Sequence, residues 1–181
     1  EIDPRPTIYL TKNEVAEAEA VWGEKSQSNK RIILAPGGGF PEKCWGDKNF
    51  SHLTNLLLKN KNYQLCIIGS KEDKNRISAN DSSHLKNLCG DLNLRQSAAM
   101  VSLSDFVISN SSLCMHLAGA FKVPALTLLG EWYGSAALHQ KQWGYPESMI
   151  KGKEGSSNKK IISVNEAYQS FKKLMFNAMS V

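Results

Sequence analysis

Apolar residues along this chain come in short unbroken runs, separated by longer stretches in which they recur three and four positions apart. RIILA at 31–35, QLCIIG at 64–69, FVI at 106–108 and ALTLL at 125–129 are runs of the first kind. Each is too short for a buried helix and rich in branched or aromatic side chains, as strands covered on both faces require. A briefer run, LCG at 88–90, reads as a further strand, and residues 7–10 as an entering one. Helical spacing is clearest in residues 50–59, where Phe50, Leu53, Leu56 and Leu57 share a face. Residues 70–79 read as a short charged helix, residues 95–103 as another, and Met115, Leu117, Ala118 and Phe121 give an apolar face to a third. Asn165 is the expected cap of a final helix carrying Ala167, Phe171, Leu174 and Met175. Strand and helix in alternation predict an α/β domain with a doubly wound parallel sheet. Beyond Gly130 the rhythm fails, through Trp132, Tyr133, Trp143 and Tyr145, and residues 152–160 read as a mobile loop. Those four aromatics could be core, could stack on a sugar face or could pack against another domain, core being the default.

Two of the connections carry ligand-binding chemistry. Pro36-Gly37-Gly38-Gly39-Phe40-Pro41 follows the first clear strand, and Ser109-Asn110-Ser111-Ser112 follows the strand at 106–108. In an open parallel sheet, loops at the carboxyl ends of strands are where ligands sit. The second loop runs into a helix whose first turn holds His116, and the unpaired N–H groups there suit an anion such as phosphate. Ser111 or Ser112 can cap that helix, and Gly119 and Ala120 are small enough to let it lie close to a sheet. Glycine lets backbone N–H groups approach a pyrophosphate, Lys43 can add a point charge, and Trp45 can pack the loop down. Each feature also has a plain reading: a flexible turn, a solvated lysine, a capping or surface histidine. The order G-x-G-x-x-G is absent, and Pro41 would interrupt an immediate helix, which argues against a NAD-dependent dehydrogenase.

Composition narrows the picture less. The 181 residues suffice for one domain, and the net charge of +5 with a pI near 9.0 permits an acidic partner. The lysines are scattered, and the richest clusters (Lys59 with Lys61, Lys151 with Lys153, Lys159 with Lys160) have no interleaved aromatics, so nucleic acid is not expected as a partner. Cys44, Cys66, Cys89 and Cys114 show no C-x-x-C spacing and lie in or beside apolar runs, which favours buried thiols and a cytoplasmic location. No membrane span or signal peptide is visible, and the three glycosylation sequons are read as chance matches.

The segment PGGGFPEKCW at 36–45 resembles the P-G-x-x-x-P-x-K-x-W block of glycosyltransferase family nine, the ADP-heptose:lipopolysaccharide heptosyltransferases. NSSLCMHLAG at 110–119 is similar to that family's N-D-T-G-x-x-H-L-A-A block, and LCIIGSKEDKNR and NLCGDLNLRQSAAMVSLSDFVIS resemble the pieces between. The likeness runs over about residues 5–175. It implies a Rossmann-like fold, the C-terminal, donor-binding half of a GT-B glycosyltransferase, with all of 1–181 as that one domain and the acceptor domain outside it. Residues 1–6 then read as an interdomain linker. The implied activity is sugar transfer from a nucleotide-diphospho-sugar, ADP-linked by preference, in lipopolysaccharide or surface polysaccharide synthesis. A glycolipid or polysaccharide acceptor, without metal or cofactor, and a place at the inner face of the cytoplasmic membrane go with it.

The resemblance also implies roles. Lys43 would neutralise the diphosphate, the Gly38 and Gly39 backbone would line it, and Ser111, Ser112 and His116 would hold phosphate or the leaving nucleotide. Glu72 would take the ribose hydroxyls, the main chain near Leu92 would face the base, and the catalytic carboxylate would lie in the acceptor domain. This chain departs from the pattern at Ser111 and Leu113, where the family has aspartate and glycine. It departs again at Gly130-Glu131-Trp132-Tyr133-Gly134, in place of a G-P-T turn, which leaves the donor sugar open. A non-catalytic module binding nucleotide or protein is the rival reading.

Overall fold

The computed structural model describes residues 5–154 and 161–179. Six parallel strands, β1 (Lys30–Ala35), β2 (Tyr63–Ile67), β3 (Leu85–Asn87), β4 (Phe106–Ser109), β5 (Ala125–Leu128) and β6 (Ser148–Lys151), form one sheet in the order β3-β2-β1-β4-β5-β6. Helices α1 (Lys12–Trp22), α2 (Asp47–Leu57), α3 (Leu94–Ser102), α4 (Leu113–Ala120), α5 (Ala136–Trp143) and α6 (Val164–Met179) connect and cover them.

The unbroken apolar runs are strands buried on both faces because alternate side chains feed two separate cores. Ile32, Leu34, Phe106 and Ile108 point to one side, where Phe50, Leu53 and Leu57 of α2 meet Ala167 and Phe171 of α6. Ile33, Ala35 and Val107 point to the other, against Ala18 and Trp22 of α1, Ala98 to Val101 of α3 and Leu117 of α4. That is the doubly wound α/β arrangement expected from the strand and helix rhythm. All four cysteines are free and buried, and burial raises the thiols of Cys66 and Cys114 to about 12.

Several elements differ from the sequence expectation. Residues 7–10 form no strand: Ile8 and Leu10 pack against the second core without pairing. The chain instead enters through α1, a helix opened by a capping box in which Thr11 and Glu14 satisfy each other's backbone N–H. The third strand lies at Leu85–Asn87, just before the LCG run, because its partner is β2 at Leu65–Ile67 and only Leu85 needs cover. Within 70–79 only a 3-10 turn, Lys71–Asp73, forms. The irregular stretch after Gly130 holds both α5 and β6, the latter an edge strand with one fully buried residue, Ile150. Ser163, not Asn165, caps α6, sharing reciprocal bonds with Glu166. Of the expected loop at 152–160, residues 155–160 lie outside the described residues, as do 1–4 of the expected linker and Lys159 and Lys160.

Glu14 also fixes α1 to α3 by pairing with Arg95, and that pairing with the Thr11 backbone bond holds its carboxyl at about 2, below the usual 4.5. A depressed folded-state value means the stabilisation is present above pH 4.5 and lost as pH falls through about 2. Glu14→Gln should therefore flatten the acid limb of the stability curve between those values, read by chemical unfolding at stepped pH.

Candidate functional site

The chain steps outward from β1 through β2 to β3, then returns to the centre at β4 and steps the other way. A crevice therefore opens between the carboxyl ends of β1 and β4, where ligands bind in open α/β sheets. Both motif loops lead into it. Asn110, 1% exposed, clips them together: its Nδ2 donates to the carbonyls of Pro36 (2.6 Å) and Gly37 (3.3 Å), and its Oδ1 accepts from the Trp45 N–H (2.9 Å). The Trp45 indole, buried as its sequence context suggested, donates to the Ile162 carbonyl at 2.8 Å.

A third strand end completes the crevice. After β5 the Gly130 N–H donates to the Lys43 carbonyl (3.1 Å) and the Trp132 N–H to the Glu42 carbonyl (3.0 Å), so the two loops run side by side. A side chain at Gly130 would strike the Glu42 and Cys44 carbonyl oxygens, so glycine is required for that approach. Lys43 is thereby held with its Nζ 4.8 Å from the Phe40 ring centre and 4.7 Å from that of Trp132.

Lys43, Ser111 and His116 line one cavity of about 660 Å³, with Trp132, His139 and Trp143 among its other walls. His116 Nδ1 shares a 2.8 Å hydrogen bond with the Tyr145 hydroxyl, and Ser111 Oγ one of 2.8 Å with His139 Nε2. Gly119 makes the first contact possible, though not by admitting the sheet as its size suggested. It is the Tyr145 ring that fills the space where a side chain would stand. Burial lowers the His116 pKa below its usual 6.5, and His139 falls by burial and by the repulsion of His116 and Lys43. Both imidazoles are therefore neutral near pH 7. Of the four late aromatics, Tyr133 and Tyr145 are buried, while Trp132 and Trp143 stand 58% and 53% exposed on the cavity wall.

A second cavity of about 340 Å³ lies beside the first, between the ends of β1, β2 and β4. Leu92 and Ser112 line it, together with Leu94 and Leu113, Gly69 and the nearly buried Asp73. Asp73 accepts from the Ser70 N–H and hydroxyl and pairs with Arg76, and its carboxylate occupies the space beside Gly37 and Gly69. Ser111 and Ser112, adjacent at the start of α4, thus open onto different cavities. Ser112 stands at the cap position of α4 but makes no side-chain cap bond.

The remaining expected residues line neither cavity. Gly38 packs against the Cys44 sulfur, Gly39 is exposed with open space around it, and Glu72 is exposed one step from Asp73. The Glu72 carboxyl is lowered chiefly by its own backbone N–H and next by the Ser70 hydroxyl. Four roles escaped the sequence reading of the site: Asn110 as the clip, Gly130 as the contact point, Tyr145, named there only among the late aromatics, as the partner of His116, and His139 as the partner of Ser111. Asn110 and Gly130 stood inside quoted motifs; His139 lies in a stretch without periodic signal. Among the described residues no cluster of three or more His, Cys, Asp or Glu is placed to hold a metal ion, and no helix is long and apolar enough to cross a membrane.

Residues 3–161 match the family model of glycosyltransferase family 9 (heptosyltransferase). Among curated proteins the chain is 28% identical to lipooligosaccharide heptosyltransferase 2 of Haemophilus ducreyi, over 66% of this chain and 37% of the relative. It is 26% identical to lipopolysaccharide heptosyltransferase 2 of Salmonella typhimurium, over 70% and 39%. In fold it is similar to E. coli ADP-heptose LPS heptosyltransferase II, with a TM-score of 0.74 at 20% identity over 95% of this chain and 54% of that one. A family 9 glycosyltransferase from Veillonella parvula gives a TM-score of 0.77 at 16% identity, over 96% and 54%. The chain thus spans less than two fifths (37%, 39%) of these curated relatives. Matched over most of its own length, and carrying the two motif blocks at adjacent strand ends, this chain belongs to glycosyltransferase family 9.

Proposed function

We propose that this chain is the donor-binding, C-terminal half of a GT-B glycosyltransferase, and that it holds a nucleotide-diphospho-sugar across the crevice between β1 and β4. The observation that carries the reading is the meeting of Lys43, Ser111 and His116 on one cavity at the point where the strand order reverses. The second cavity, walled by Leu92, Leu94 and Leu113, suits a flat base, and the Asp73 carboxylate within it is an acceptor for ribose hydroxyls beside Glu72. The diphosphate then spans the step from Ser112 to Ser111, over the N-terminal N–H groups of α4 and past the Gly38-Gly39 backbone. One solved relative of similar fold contains ADP-2-deoxy-2-fluoro heptose and another ADP, which favours an ADP-linked donor.

In sugar transfer the bond from the anomeric carbon to the diphosphate oxygen breaks, and negative charge grows on the departing nucleoside diphosphate. Groups that stabilise that charge lower the barrier because their interaction strengthens as the bond breaks. Lys43 supplies a cation fixed between two rings, and the Tyr145 hydroxyl occupies His116 Nδ1, leaving Nε2 for the ligand. Neither the acceptor, a glycolipid or polysaccharide of surface polysaccharide synthesis at the inner membrane face, nor the carboxylate that activates it is assigned to this chain. Both fall to the portion of the longer relatives that it does not span.

Titration calorimetry with ADP, UDP and GDP tests the reading. One of them, ADP by preference, should bind, and Lys43→Ala and His116→Ala should each weaken it by roughly tenfold, the loss of one charge-assisted hydrogen bond. Absence of binding to all three would favour the non-catalytic module.

A further inference from the structure

We propose that His139 is a phosphate-binding residue of this cavity, turning its Nε2 from the Ser111 hydroxyl to an oxygen of the bound diphosphate and taking up a proton as it does so. The inference rests on the donor-site reading above and extends it to a helix, α5, that carries neither motif block.

His139 sits in the first turn of α5, on the wall it shares with Lys43 and His116. Its ring lies 4.7 Å from that of Tyr133, tilted by 58°, so the imidazole packs against an aromatic wall of the cavity. The hydroxyl it meets, Ser111, belongs to the turn that would hold the diphosphate. A Ser–His pair facing a cavity can part cheaply, because each partner finds a new one in the ligand: a hydroxyl and an imidazole N–H both donate to phosphate oxygen.

The charges around His139 decide the proton's direction. Lys43 and His116 face it and repel a proton, and Tyr145 adds only a hydroxyl through His116. On its own helix Lys141 is exposed, and the Glu154 carboxylate sits at the start of α5, bonded at 3.4 Å to Ser135 Oγ and to the Ala137 N–H. No carboxylate is among the described residues lining the cavity. The empty site therefore keeps His139 neutral, while a bound diphosphate brings the opposite charge that favours imidazolium. Affinity contributed by this residue is thus greatest at pH 6 and smallest at pH 8.

The test is calorimetry of whichever nucleoside diphosphate among ADP, UDP and GDP binds, at pH 6, 7 and 8, in buffers of different ionisation heat, on the parent chain and His139→Gln. The ligand's own phosphate ionisation is common to both proteins and cancels. The parent should take up more proton than the variant at pH 7, and the variant should lose roughly tenfold in affinity at pH 6 and less at pH 8. A loss equal at all three pH values with an unchanged proton count would mean that His139 merely ties α5 in place, and would overturn the proposal. So would unchanged affinity. If the variant does not fold, the His139 ring resonance of the parent decides: its titration midpoint should rise on adding the diphosphate, and an unmoved midpoint overturns the idea. Failure of all three nucleotides to bind the parent sinks the donor-site reading itself, a result distinct from either.

Discussion

Asn110→Ala should lower the stability of this chain by about 3 kcal/mol and abolish nucleotide binding, although Asn110 itself lines neither cavity. The side chain is buried and fully used: two carbonyls of the glycine loop accept from its amide, and the Trp45 N–H donates to its oxygen. Alanine leaves those groups without partners in a place water reaches poorly, and each such orphan costs about 1–3 kcal/mol. The same cut releases the loop that carries Lys43 from the turn that carries Ser111. Urea unfolding should show a reduced midpoint at unchanged slope, and calorimetry the loss of affinity. A variant within about 1 kcal/mol of the parent would show that other contacts hold the loops in register.

Gly130→Ala should be the most damaging change of a single hydrogen for a methyl group at the site. The new carbon would collide with backbone oxygens of Glu42 and Cys44 and come within 2.7 Å of the Lys43 carbonyl carbon. Backbone cannot step aside as the end of a flexible side chain can, so the two loops must separate, at a cost of about 1–3 kcal/mol. Their parting breaks the bonds from the Gly130 and Trp132 N–H groups and draws the Trp132 ring away from Lys43. Nucleotide affinity should fall at least as far as in Lys43→Ala. Gly134→Ala is the control for stability: no heavy atom of the described residues, its chain neighbours aside, lies within 4 Å of the added carbon, so the unfolding midpoint should be nearly unchanged. Equal midpoints of the two variants would contradict the close-approach argument.

Two of the departures from the family pattern, Ser111 and the turn after Gly130, meet in the first cavity, while Leu113 lines the second. Where the pattern has aspartate, Ser111 faces His139, and where it has a G-P-T turn, Gly130 leads into Trp132, whose ring lies over Lys43. The cavity that results has aromatic walls and basic or neutral polar groups, with no carboxylate among its described lining residues. On the donor-site proposal, that combination favours a donor held through its phosphates, with the sugar against Trp132 and Trp143.

The fold was legible wherever burial was complete. RIILA, QLCIIG, FVI and ALTLL declared themselves because a central parallel strand must be apolar on both faces, and they became β1, β2, β4 and β5. The edges were not legible. β3 and β6 bury one face or a single residue, so no run marks them, and the brief LCG run drew the assignment three residues too far along the chain. α1 hid for a related reason: its fully buried residues are only Ala18 and Trp22, and its sharpest signal, the Thr11 and Glu14 capping box, is local chemistry rather than periodicity. α5 has a single fully buried residue, Ala136, so no apolar periodicity marks it.

By itself the sequence determined the doubly wound α/β class, the two motif loops at strand ends and the family, because each is written in contiguous residues whose spacing carries the physics. Tertiary structure alone decided which motif residues share a cavity. It gathered Lys43, Ser111 and His116 onto one wall, sent Ser112 and Leu92 to another, and brought Tyr145 and His139 against them from a stretch without rhythm. The reason is that strand order, not chain order, sets proximity in a parallel sheet: β1 and β4 lie side by side with some seventy residues (35 to 106) of chain between them, and no local pattern records that pairing.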